Sequence, residues 1–203
     1  MKNLVVTIFA AAALIACKKN EPTADSQSKE STTISAPAES GMTVSDSTKM
    51  SEPKDQASTL SDQDKKFADA AAIGGLMEVM MGKLAATNAE SSAVKSLGAM
   101  MVTDHTKAND ELKKWASGIG YTLPASLDTE KQKMYDDLKA KKGKDFDKKY
   151  TDLMVSDHKE DIEAFNKEAS EGKEASLKSF ASKTLPTLKH HLHESEKAKS
   201  AVQ

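Results

Sequence analysis

The sequence predicts an all-α protein: an antiparallel four-helix bundle with a short extra helix in the crossover between helices two and three. Three observations predict it. From residue 61 onward, apolar residues recur at helical spacing and no strand-like alternation persists. Within that stretch only Pro124 and Pro186 interrupt the pattern. The breaks between helices one and two, and between three and four, are short, whereas the break between two and three is long. Two hairpins joined by a crossover make a bundle of ferritin-like type.

The first 17 residues stand outside that bundle. Lys2 gives a positive start, and Val5 to Ile15 is an apolar run too short to span a bilayer as a mature helix. It ends in Leu14-Ile15-Ala16-Cys17, which resembles the lipobox of bacterial lipoproteins. That resemblance implies lipidation of Cys17 and a membrane contact through the lipid. Lys18 follows, with no aspartate there, which by analogy with lipoprotein sorting favours the outer membrane, facing the periplasm. Cys17 is the only cysteine, which excludes an intramolecular disulfide and a cysteine-based zinc or iron–sulfur site. Residues 18–60 are rich in Ser, Thr, Glu, Lys and Ala, with Pro22, Pro37 and Pro53 spaced along them. Such a stretch buries too little apolar surface to offset its ordering entropy and reads as a flexible tether.

Residues 61–199 then suit one ordinary domain. Helix one runs from about Ser61 to Asn88, with Ser61 as N-cap and Asp64 in the first turn. Helix two runs from about Ser92 to Ser117 and stops at Gly118 and Gly120. The short helix covers about Asp128 to Ala140, and helix three about Lys144 to Ser170. Helix four runs from about Glu174 to Lys199, with Pro186 inside it as an expected kink.

The net charge of −2 names no strongly charged partner. The basic residues are all lysine, without one arginine. That tilts against nucleic acid, where arginine's bidentate fork is favoured.

Projection at about 100° per residue places polar groups on faces that should be buried. On helix one, Glu78 falls in a stripe of small residues that includes Gly74, Gly82 and Ala85. On helix two, His105 sits within the stripe of Val94, Leu97, Met101, Leu112 and Trp115, with Asp104 at its edge. On helix three, His158 and Asp161 lie between Met154 and Phe165, with Asp157 beside them. On helix four, His191 lies at the edge of a leucine stripe, while His190 and His193 project outward.

Charged and titratable groups go inside when they are paired or bind something. Imidazole and carboxylate from facing helices suit iron, manganese or zinc. The candidate metal ligands are therefore His105, His158, Glu78, Asp161 and His191, with Asp104 and Asp157 as supporting carboxylates. Met77, Met80, Met81, Met100, Met101 and Met154 add a lesser copper option, although methionine at this spacing also serves as core filler. Counting about 1.5 Å per residue from each hairpin turn spreads the candidates over roughly 10 Å. A subset binding, or helix register and the Pro186 kink, must close that gap. The Glu-x-x-His pair of di-iron bundles is absent, which argues against a ferroxidase centre. The alternative is a structural network, in which buried Asp–His pairs only fix helix register.

Four phrases occur in order: Ala71-Ala72-Ile73-Gly74-Gly75-Leu76-Met77-Glu78, Met101-Val102-Thr103-Asp104-His105, Met154-Val155-Ser156-Asp157-His158, and Thr184-Leu185-Pro186-Thr187-Leu188 followed by His191-Leu192. Together they resemble the bacterial domain of unknown function 4142 family, over about residues 61–197. The resemblance implies a ferritin-like helical bundle exported to the bacterial envelope, with recurring histidines at His105, His158 and His191, and no established activity.

Two functions follow as expectations. One is a lipid-anchored envelope bundle that binds a transition metal or small ligand through inward histidines and carboxylates. The other is a non-catalytic envelope structural or interaction module. No nucleophile–base arrangement supports an enzyme, and the sequence names no protein partner.

Overall fold

A computed structural model describes residues 59–203. The signal segment, Cys17 and nearly all of the tether lie outside the described residues. Among the described residues there are five helices and no strand: α1 (Asp62–Asn88), α2 (Ser92–Gly118), α3 (Thr129–Lys139), α4 (Gly143–Glu171) and α5 (Ala175–Val202). The protein is an all-helical bundle, and the expected boundaries agree with the observed ones to within three residues. The α5 helix is continuous through Pro186 and runs on to Val202.

Local chemistry starts each element. Ser61 and Asp64 form a reciprocal capping box at α1, which satisfies two otherwise orphaned N–H groups. Asp128 caps α3 by accepting from the Lys131 N–H, and Glu174 caps α5 by accepting from the Leu177 N–H. The loop after α2 turns at Gly120, whose φ of 73° suits a residue without a Cβ.

Loops of three residues make α1 with α2, and α4 with α5, antiparallel hairpins. The hairpins pack with α1 on α4 and α2 on α5, and α3 lies against α1 and α4. Two polar junctions set their relative level. At one end, Asp64 accepts from the Lys173 and Glu174 N–H groups at 2.9 and 3.2 Å. At the other, Asp147 accepts from Glu90 and Ser91 at 3.2 and 2.8 Å. There Asn88 also donates to the Lys139 and Lys141 carbonyls at 3.3 and 3.1 Å.

Within the first hairpin the backbones nearly touch. A Cβ at Gly82 would lie 2.7 Å from the Gly98 carbonyl oxygen, and one at Gly98 would lie 2.5 Å from the Ala85 Cβ. Length and composition alone would let α1 cross a bilayer. Its buried Asp64 and Glu78, and its packing on α2 and α4, mark it instead as a core helix of this bundle.

The apolar core is split in two. One cluster holds Met77, Met81, Val94, Leu97, Met101, Phe146, Tyr150 and Met154. The other holds Phe67, Leu112, Phe165, Leu177, Ala181 and Leu188. Each long helix also buries one of Glu78, His105, His158 and His191: the three histidines fall between the two clusters along their helices, and Glu78 stands beside Met77 of the first.

Candidate metal centre

The dividing layer takes one group from each long helix. Glu78 is 1% exposed, His105 6%, and His158 and His191 are wholly buried. The expected spread of roughly 10 Å is absent for the histidines and Glu78: the candidate ligand nitrogens of the three histidines lie within 4.8 Å of one another, and Glu78 lies 2.8 and 3.4 Å from two of them. The Asp64–Lys173 junction explains this, because Glu78 on α1 and His158 on α4 sit almost equally far from it along their helices. Asp161 is half-buried and lines a small cavity with Glu78 and His105.

The ring protons can be assigned from their partners. His158 Nδ1 lies 2.9 Å from the Met154 carbonyl oxygen, which only accepts, so Nδ1 carries the proton. His158 Nε2 is then a bare lone pair in the neutral ring. His191 Nε2 lies 2.8 Å from Asp104 Oδ2 and donates to that carboxylate. His191 Nδ1 is then bare as well. These two bare nitrogens face each other at 3.2 Å.

Glu78 stands beside them. Its Oε1 is 3.4 Å from His158 Nε2, and its Oε2 is 2.8 Å from His105 Nδ1. The second contact is close but not aligned as a hydrogen bond, so neither Glu78 oxygen has a hydrogen-bond partner. His105 Nε2 is also buried and unpartnered. A native interior rarely leaves this many polar atoms unsatisfied in one place.

Protons fill the imidazole side of this gap poorly. Burial holds the His105 imidazole down to about 4, and burial likewise lowers His158 and His191. Burial pushes the Glu78 carboxyl up, against the opposing pull of His158. Burial, with the nearby Glu78 and Asp157 charges, drives Asp161 well above the usual carboxylate range. The imidazoles are therefore neutral and present bare nitrogens, whereas Glu78 and Asp161 hold a proton more readily than ordinary carboxylates, a proton that a metal cation would displace. Two nitrogens on one tetrahedral ion with bonds near 2.05 Å stand roughly 3.3 Å apart, close to the observed pair.

The carboxylates beside the histidines have separate tasks. Asp104 serves His191 across the α2–α5 interface, not the adjacent His105. Asp157 pairs with Lys131 of α3 at 3.4 Å and touches no imidazole within hydrogen-bonding distance. His190 and His193 are exposed. Lys131, Tyr150 and Ser195 were not singled out from the sequence. Lys131 reaches the acidic side of the layer from the crossover helix, and the buried Tyr150 and Ser195 hydroxyls have no partner. A lysine on a mostly exposed short helix carries no periodic signal for such a role.

Comparisons with known proteins give a family and a fold. The family model described as "Domain of unknown function (DUF4142)" matches residues 49–198. A DUF305 fragment from Deinococcus radiodurans aligns with a TM-score of 0.61 at 10% identity, over 70% of this chain and 98% of that one. CopM in its Cu(II)-bound form aligns with a TM-score of 0.59 at 14% identity, over 69% of this chain and 97% of that one. The Ag-bound form of CopM aligns with a TM-score of 0.54 at 16% identity, over 66% and 93%. At these identities the likeness is one of fold. No curated protein matches the chain.

Proposed function

We infer that this chain, which belongs to the DUF4142 family through residues 49–198, is a transition-metal-binding protein of the bacterial envelope. The observation that carries the inference is the facing pair of bare nitrogens, His158 Nε2 and His191 Nδ1, 3.2 Å apart beside a carboxylate with no hydrogen-bond partner. A cation there would meet the two bare nitrogens and the unpartnered Glu78 carboxylate together. His105, His158, His191 and Glu78 hold it, and Asp104 fixes the tautomer of His191 from outside, as supporting carboxylates do in metal sites. Asp161 lies at the edge of the set.

Three imidazoles and a carboxylate favour zinc or copper(II) over manganese, and iron falls between. This places copper higher than the sequence alone does. The wholly buried thioethers of Met77, Met81, Met101 and Met154 lie in the neighbouring core cluster and are compatible with copper. The fold likeness to CopM, whose structures are of Cu(II)-bound and Ag-bound forms, supports the same direction.

The architecture is read as ferritin-like, two hairpins joined by a crossover, without the ligand pairs of a di-iron oxidase. The chain is further proposed to be lipidated at Cys17 and held at the outer membrane, facing the periplasm, by the 18–60 tether. No reaction is assigned to it.

One observation favours a purely structural layer instead. Each imidazole also has a protein neighbour: His105 with Glu78, His158 with Met154, and His191 with Asp104. Elemental analysis separates the two readings. The untagged mature chain, purified from periplasm, is compared with a His105→Ala, His158→Ala double variant. About one metal per chain, lost in a variant that remains helical, is the expected result. Metal-free protein after reconstitution with zinc, copper, iron and manganese would overturn the metal reading and leave the register network.

A further inference from the structure

The metal reading leaves open how an ion reaches a layer in which two of the histidines are wholly buried. Inside, Glu78, His105 and Asp161 border a cavity of about 20 Å³, room for one water or ion. Outside, a cleft of about 290 Å³ opens between α2 and α5, lined by Asp104, Lys107, Ala108, Glu111, Lys183, Thr184 and Thr187. Ala108 and Thr184 line both spaces, so a single layer of side chains separates them. Asp104 spans the same boundary: its side chain is 38% exposed in the cleft, and it holds the fully buried His191 at 2.8 Å.

The wall at this point is weak in a specific way. Pro186 lies in α5 between Thr184 and Leu188, both of which line the inner cavity. Proline has no N–H to give, so the Ser182 carbonyl loses its helical partner. A helix lacking one rung opens locally more readily than an intact one.

One other cleft, of about 120 Å³, shares Asn109 and Leu112 with the inner cavity. It is largely apolar, and its charged lining is the single cation Lys113. A metal cation gains nothing there, whereas the α2–α5 cleft offers the Asp104 and Glu111 carboxylates. Lys107 and Lys183 balance those acids, so the preference is one of ligand chemistry more than of net field.

We propose that the α2–α5 cleft is the port through which the ion enters, that Asp104 is its first ligand, and that the α5 segment around Pro186 is the gate. This rests on the metal site of the preceding section. The gate lets α5 part from α2 so that the ion passes Thr184 and is handed from the Asp104 carboxylate to His191.

Stopped-flow absorbance of Co(II) binding to the mature metal-free chain tests it. Pro186→Ala restores the missing rung. It is expected to slow association and dissociation together by roughly tenfold, leaving the dissociation constant unchanged. Thr184→Leu thickens the partition and slows association in the same way. Leu123→Trp, in the apolar cleft, leaves both rates alone. Wild-type rates in both gate variants, or slowing by Leu123→Trp alone, would overturn the port. Equilibrium dialysis keeps the two ideas apart: a wild type that binds no Co(II), zinc or copper removes the site and its port together, whereas one that binds, with unaltered gate variants, removes the port alone.

Discussion

Glu78 is the residue at which the proposed metal binding and stability pull in opposite directions. A buried carboxylate without hydrogen-bond partners costs the fold free energy unless a cation meets it. Glu78→Gln should therefore abolish metal binding and raise the stability of the metal-free protein at pH 8, by about 1–2 kcal/mol. Urea unfolding of both metal-free proteins measures this, and a less stable variant would mean that the carboxylate serves a structural network. A second buried acid, Glu168, sets a pH dependence far from the layer. Burial and the neighbouring Asp64 push its carboxyl up to about 7, while hydrogen bonds hold Asp64 at about 2 despite its burial. Protonated Glu168 is the form the fold prefers. Its contribution is complete below the ordinary carboxylate range and is lost as pH rises through about 7. The Asp64 contribution has the opposite sign, present at neutral pH and lost only as pH falls through about 2. Glu168→Gln should thus flatten the melting temperature between about pH 5 and 8 and exceed the wild type at the upper end. Parallel curves for the two proteins would refute this account.

Helices were the most legible scale, because caps and apolar spacing are local. Ser61, Asp128 and Glu174 mark starts, and Gly118 and Gly172 mark stops, without any knowledge of neighbours. What a helix turns toward its partners was legible only where the stripe was broad. His191 looked peripheral by projection yet is wholly buried. Its surroundings include His105 and His158, at ring-centroid separations of 5.2 Å each, and no projection of α5 alone can supply them. The depth count failed for a related reason. It measured each hairpin from its own turn, whereas the Asp64 and Asp147 junctions set the level between hairpins. The glycines of α1 make the contrast measurable. A Cβ at Gly74 meets nothing within 4 Å, whereas one at Gly82 strikes the Gly98 backbone. Gly74→Ala should stabilise by about 0.5–1 kcal/mol through helix propensity alone. Gly82→Ala should destabilise by about 1–3 kcal/mol by forcing α1 and α2 apart. Equal effects at the two positions in chemical denaturation would show that the close crossing does not matter.

For the whole molecule, the lipobox-like Leu14 to Cys17 and the expected tether lie outside the described residues, and the proposed anchor rests on them. If Cys17 carries the anchor, Cys17→Ala should move the full-length protein from the membrane pellet to the soluble periplasmic fraction. Retention in the pellet would show that another feature holds it there. The sequence placed Glu78, His105, His158 and His191 on inward faces or at their edges, which is as far as single-helix periodicity reaches. Which of them meet depends on packing between helices that are distant in the chain, and that is settled by the junctions and the Gly82–Gly98 crossing. The layer they form also divides evenly: the first hairpin supplies Glu78 and His105, and the second supplies His158 and His191. Neither half owns a complete coordination shell. On the proposed reading, an ion seated there would act as a clasp between two hairpins, each held together mainly by contacts within itself. Severed at the crossover, the halves would then become a pair of fragments whose reunion the proposed metal would command, a chemically induced heterodimer drawn from a single chain.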